Sequence, residues 1–131
     1  MTRLPIDPPV RTLADALALR PELLAGIREL AVALAAEPSL SPALLACCRA
    51  RVETLVGATS SRPAPPPAPD AELACEFVEQ FVLDPHGITD DLVARLAARH
   101  SSRAVVTLAQ AAALWEGIAR LARAFDVPAD I

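Results

Sequence analysis

Apolar side chains recur at helical spacing through most of the chain, interrupted by prolines and by residues that cap helices. A Pro-punctuated lead over 1–10 (Pro5, Pro8, Pro9) precedes a short helix predicted over about 11–20. Pro21 suits the first position of a second helix, where its missing N–H costs nothing. That helix is predicted to reach about Glu37, with an apolar stripe of Leu23/Leu24, Ile27, Leu30/Ala31 and Leu34 before Pro38 stops it. Ser41 and Pro42 open a third helix as cap and first-turn proline. Its stripe reads Leu44/Leu45, Cys48, Val52 and Leu55/Val56, and Gly57 is suited to end it.

Next comes ATSSRPAPPPAPD, with five prolines between Pro63 and Pro69. Such a run excludes helix and predicts a polyproline-type spacer on the order of 20 Å long. Asp70 is placed to cap a fourth helix over about 71–83, burying Leu73/Ala74, Phe77/Val78 and Phe81 and exposing Glu72, Glu76, Glu79 and Gln80. The turn Asp84-Pro85-His86-Gly87 ends it. Thr89 caps a fifth helix, about 90–99, with Asp90 and Asp91 at its start and Arg95 and Arg99 near its end, complementing the helix dipole. Ser101 or Ser102 caps a last helix over about 103–125, with the stripe Val105, Leu108, Ala112, Trp115, Ile118, Leu121/Ala122 and Phe125. The expectation is one all-α domain, 1–131, of about six helices. The N-terminal helices (11–57) and C-terminal helices (71–127), joined by the Pro-rich linker (58–70), share one core.

Composition agrees with that reading. Hydrophobic residues make up 53% of the 131 but aromatics only 3%, and an Ala/Leu-rich core suits closely packed helices better than sheets. A chain of this length buries roughly two thirds of its unfolded surface, enough to fold without metal or disulfide staples. The net charge of -4 argues against nucleic acid as a partner, since phosphate binding needs a basic face. All 12 basic residues are Arg. Three cysteines and no apolar leader in MTRLPIDPPV point to a reducing cytoplasm. The charge-free apolar stretch from Ala104 to Trp115 falls short of the roughly 20 residues needed to span a bilayer, so no membrane association is expected.

Two stretches carry a resemblance. In LSPALLACCRARVETLVGA (40–58), Leu40, Ser41, Pro42, Arg51, Val52, Leu55 and Gly57 follow one helix pattern. In residues 76–127, Asp84, Ile88, Thr89, Asp90, Leu96, His100, Ser101, Arg120, Leu121, Ala122 and Val127 follow a helix, turn, short helix and long final helix. Together, covering about half the chain, they resemble the carboxymuconolactone decarboxylase/alkylhydroperoxidase D-like (AhpD-like) superfamily. The resemblance implies its all-α helical domain and self-association as a trimer or hexamer. In redox-active members a Cys-x-x-Cys supplies nucleophile and resolving thiol, and a Glu and a His relay protons, because a base must generate the attacking thiolate. Here Ala58 and Ser61 stand at the cysteine positions and Ala46 at the Glu position, and no His lies near. The resemblance therefore implies a degenerate active site without thiol peroxidase chemistry. A small-ligand-binding or scaffold protein is expected, with a non-redox enzyme acting on a small carboxylated metabolite, or an interaction protein using the proline segment, as alternatives.

Few residues are candidates for chemistry. Arg49 and Glu53, an i,i+4 pair on the third helix, are either surface partners or the lining of a remnant pocket. Trp115, beside the pair Glu116 and Arg120, reads either as core or as pocket lining. Cys48 lies on the apolar stripe and reads as a packed small residue; Cys47-Cys48 could alternatively form a vicinal disulfide, and Cys75 on the fourth helix could approach either. His86 sits in a turn, and with one other His and no ligand cluster no metal is expected. No cofactor is expected, since glycine-rich phosphate loops and nucleophile elbows are missing.

Overall fold

The computed structural model describes residues 2–131, leaving Met1 of the N-terminal lead outside. The described residues form six α-helices and no strands: α1 (Leu13–Leu17), α2 (Pro21–Ala35), α3 (Pro42–Val56), α4 (Glu72–Leu83), α5 (Asp90–Arg99) and α6 (Ser102–Phe125). A 3-10 turn, Pro85–Gly87, separates α4 from α5. The all-α class and the number of helices match the periodicity of the sequence.

Most helix starts follow their capping residues. Ser41 Oγ accepts from Leu44 N at 3.1 Å, Thr89 Oγ1 from Leu92 N at 3.1 Å and Ser101 Oγ from Ala104 N at 2.9 Å. Each satisfies one of the N–H groups that a helix start leaves unpaired. Two starts depart from expectation. The first helix is only five residues, because Thr12 caps it and Asp15 closes a reciprocal capping box, its carboxylate accepting from Arg11 N and Thr12 N. Those backbone hydrogen bonds, Arg11's above all, hold the Asp15 carboxyl below its ordinary range. α4 begins after Ala71 with no side-chain cap, so Asp70 does not play that role.

α6 is the central helix. It packs against α1 through α5, most extensively against α3, which packs as extensively against α4. The main core joins Leu44, Cys48 and Val52 of α3, Ala74, Phe77 and Val78 of α4, Leu92 and Leu96 of α5, and Leu108, Ala111 and Ala112 of α6. Helices from both sides of the proline segment thus share this core. A second cluster gathers Leu13 and Ala16 of α1 with Ile118 and Ala122 of α6 and the tail residues Val127 and Ala129. There the lead is also tied down, Arg3 N donating to Phe125 O at 2.9 Å.

α2 departs furthest from its apolar stripe. It ends at Ala35, before Glu37, and of the stripe only Leu34 is buried, while Leu23 and Ala31 are exposed. The helix is peripheral, resting on α6 and α1 along one narrow side. Val106 of α6, 70% exposed, lines a shallow groove with Ala33 and Ala36, and Val32 of α2 is 72% exposed. Leu121 also turns outward on α6. Taken whole, α6 is long and apolar enough to cross a membrane by length and composition. Its apolar residues Leu108, Ala111, Ala112, Trp115 and Ile118 are covered here by the other helices.

Candidate functional site

α3 ends where Gly57 adopts φ 79°, the left-handed conformation that glycine takes without steric cost. Its N–H bonds to Thr54 O at 3.2 Å and the N–H of Ala58 to Glu53 O at 2.9 Å, closing a Schellman turn. The chain reverses there and the proline segment folds back along α3. It is therefore a wall against the helices and no free spacer. The C-terminal tail pins this wall. Ala129 N donates to Thr59 O at 2.7 Å, and the Asp130 carboxylate accepts from Ser61 N at 3.1 Å and Ser61 Oγ at 3.0 Å.

Between this wall and the helices lies a cavity of about 570 Å³, within the range of small-molecule sites. α2 contributes Leu34 and Ala35, α3 contributes Leu45, Ala46, Arg49 and Glu53, and α6 contributes Leu114 and Trp115. Ala58, Ser60 and Arg62–Pro65 close it from the wall. Arg49, Glu53 and Trp115 thus share one cavity with Ala46 and Ala58, two of the positions where the resembled family carries chemistry. Ser61 is not part of the lining; Asp130 occupies its N–H and hydroxyl.

The polar end of the cavity is a charge cluster. Arg49 Nε donates to Glu53 Oε1 at 3.1 Å, and Arg62 Nη2 donates to the same oxygen. Arg62 Nη1 also stands 3.7 Å from Asp130 Oδ1. Glu53 is buried, which an ionised carboxylate tolerates only when paired in this way. Arg49 is paired with Glu53 through Nε alone, and its Nη2 is buried without a hydrogen-bond partner. Burial, and then the nearby Arg62 charge, push its guanidinium below the usual range. Arg62 and Asp130 were not singled out by the sequence, because nothing local marks them. Arg62 gains its place from the turn at Gly57, and Asp130 from the tail crossing the segment.

The remaining candidates lie elsewhere. Glu116 and Arg120 pair at 2.9 Å on the surface of α6. His86 is exposed in the 3-10 turn, while His100 ends α5 and its Nδ1 lies 2.9 Å from Ser39 O. Among the described residues no three His, Cys, Asp or Glu side chains gather as a metal site, and no thiol or imidazole lines the cavity. Cys47 and Cys48 point to different partners. The Cys47 thiol donates to Pro66 O at 3.4 Å, whereas Cys48 Sγ lies 3.8 Å from Cys75 Sγ inside the core. Cys75 is therefore buried between α3 and α4, and is the cysteine that approaches Cys48.

No protein-family model, curated protein or solved structure matches this chain.

Proposed function

We propose that this chain is a divergent AhpD-like protein without the redox centre, and that it binds a small ligand with an apolar body and a carboxylate in the cavity under the proline segment. The observation that carries the reading is Arg49. It is a half-buried cation next to a second cation, with one buried donor left unpaired, at one end of an apolar-walled cavity. A carboxylate arriving there would offset both burial and the Arg62 charge, since charge-assisted hydrogen bonds to guanidinium are among the stronger ones. Leu34, Leu45, Leu114 and Trp115 would take the apolar body. The family part of the reading rests on the motifs in residues 40–58 and 76–127, with Ala46 and Ala58 in the cavity in place of Glu and Cys.

The test is a thermal-shift and calorimetric panel of aromatic and aliphatic monocarboxylates, each beside its neutral amide. At 100 times its Kd a ligand that binds only the folded chain stabilises it by about 2.7 kcal/mol. Carboxylates should raise the unfolding temperature and amides should not, and Arg49→Ala should abolish the rise. Equal binding by the amides, or undiminished binding by Arg49→Ala, would sink the proposal. The same reading includes a cytoplasmic homo-oligomer, trimer or hexamer, whose contacts would cover Val32 and Val106. Native mass spectrometry reads subunit number and any retained ligand mass together, and a monomer would count against the family assignment.

A further inference from the structure

On the face of α3 away from the cavity, Cys48 and Cys75 sit with their sulfurs 3.8 Å apart, one on α3 and the other on α4, 27 residues apart in sequence. Both are free thiols. A disulfide needs about 2.05 Å between sulfurs, so closure requires an approach of less than two ångströms by side chains on two helices already packed together. The two thiols are not equivalent. Cys48 is wholly buried, whereas Cys75 reaches the base of an open cleft that Arg51 and Glu79 also line. Arg51 and Glu79 pair across this cleft at 2.5 Å.

We propose that Cys48 and Cys75 are a modification site, a dithiol that a small hydroperoxide oxidises to an intramolecular disulfide between α3 and α4. Cys75 is the thiol oxidised first. The hydrogen bond from Cys48 favours its thiolate, and Arg51 adds to this against burial and Glu79, so the thiol is lowered to about 7. Cys48, whose thiol is raised by holding that hydrogen bond and by burial, keeps its proton. The other charged groups around the cleft, Glu72 and Glu76, are exposed carboxylates of α4.

The Cys75 thiolate attacks one peroxide oxygen and the O–O bond breaks. The leaving alkoxide takes up a proton from water as an alcohol, and Cys75 becomes a sulfenic acid. Cys48 then attacks the sulfenic sulfur, the S–O bond breaks, and water leaves with the Cys48 proton. Two thiols and one hydroperoxide yield one disulfide, one alcohol and one water, the two electrons passing from sulfur to peroxide oxygen. A small oxidant is required because Cys75 is only 8% exposed. The resulting cross-link closes a loop that contains the whole proline segment, so oxidation constrains the unfolded chain and raises the unfolding midpoint.

The experiment treats the reduced full-length chain with stoichiometric hydrogen peroxide, alkylates the remaining thiols and maps unreduced peptides by mass spectrometry. The expected product is a Cys48–Cys75 linked peptide, with Cys47 alkylated and a dithiol reductant restoring all three thiols. In Cys48→Ala, Cys75 should stop at a sulfenic acid trapped by a cyclic 1,3-dione; if that variant does not fold, the map of the native chain still decides. Cross-links through Cys47, links between chains, Cys75 over-oxidised beside an alkylatable Cys48, or three unreacted thiols would each overturn the proposal. None of these outcomes depends on whether the cavity binds a carboxylate.

Discussion

The two faces of α3 solve opposite problems with neighbouring residues. Toward α4 and α6 it presents Leu44, Cys48 and Val52, all fully buried against apolar partners. Toward the proline wall it presents exposed Ala46, half-buried Arg49 and buried Glu53 beside a cavity. Position 48 and position 49 differ by one helical step of about 100°, yet one side chain is locked into the core and the next is a cation with one buried donor unpaired. The first face is held by packing, which is close to uniform and tolerates no gap. The second is held by one carboxylate shared between two guanidiniums, and this leaves room for a guest.

That contrast can be broken from either side. The largest effect is expected on the packed face: Leu44→Ala removes a fully buried side chain and should cost about 2–5 kcal/mol in urea unfolding, leaving carboxylate binding intact under conditions where the chain stays folded. Glu53→Ala strips Arg49 and Arg62 of their shared acceptor and should cost about 1–3 kcal/mol, half-exposed Arg62 softening the loss. Unlike Leu44→Ala it should alter ligand affinity, which calorimetry reads directly. Gly57→Ala puts a side chain where φ is positive, at a cost of about 1 kcal/mol. The added Cβ would meet only Arg123 Cζ at 3.9 Å, so the cost is conformational and not steric. If Gly57→Ala weakens ligand binding more than stability, the turn is what sets the wall. The gentlest probe changes only pH: the folded Cys75 thiol lies below its ordinary value, so its alkylation rate should rise as pH climbs through about 7 and level off above, well before Cys48 reacts. Equal rates for Cys48 and Cys75 across that range would erase the distinction between the thiols.

Much of the architecture was legible because it is local. Ser41, Thr89 and Ser101 cap the helices that their spacing predicts, and the stripe Leu108, Ala112, Trp115, Ile118 is buried as its 3.6-residue period requires. Other features were misread where a local signal had a competitor. Thr12, with Asp15 three residues on, out-competed Arg11 as the start of α1. Asp70 has the side chain of a cap, yet the helix begins one residue beyond its reach, after Ala71. On α2 the apolar stripe is real in sequence, but one neighbouring helix and a five-residue α1 are too little to cover it.

The sequence by itself determined six helices, the caps Ser41, Thr89 and Ser101, and the helix break at 58–70, because each of these is decided within a few residues of chain. Only the tertiary structure decided that the proline segment is a wall, that Arg62 and Asp130 join Arg49 and Glu53, and that Cys48 meets Cys75 while Cys47 turns away. Those pairings span from 9 to 69 residues. They depend on the left-handed turn at Gly57 and on the tail crossing the segment, and no periodicity along the chain encodes a meeting between two surfaces that only packing brings together.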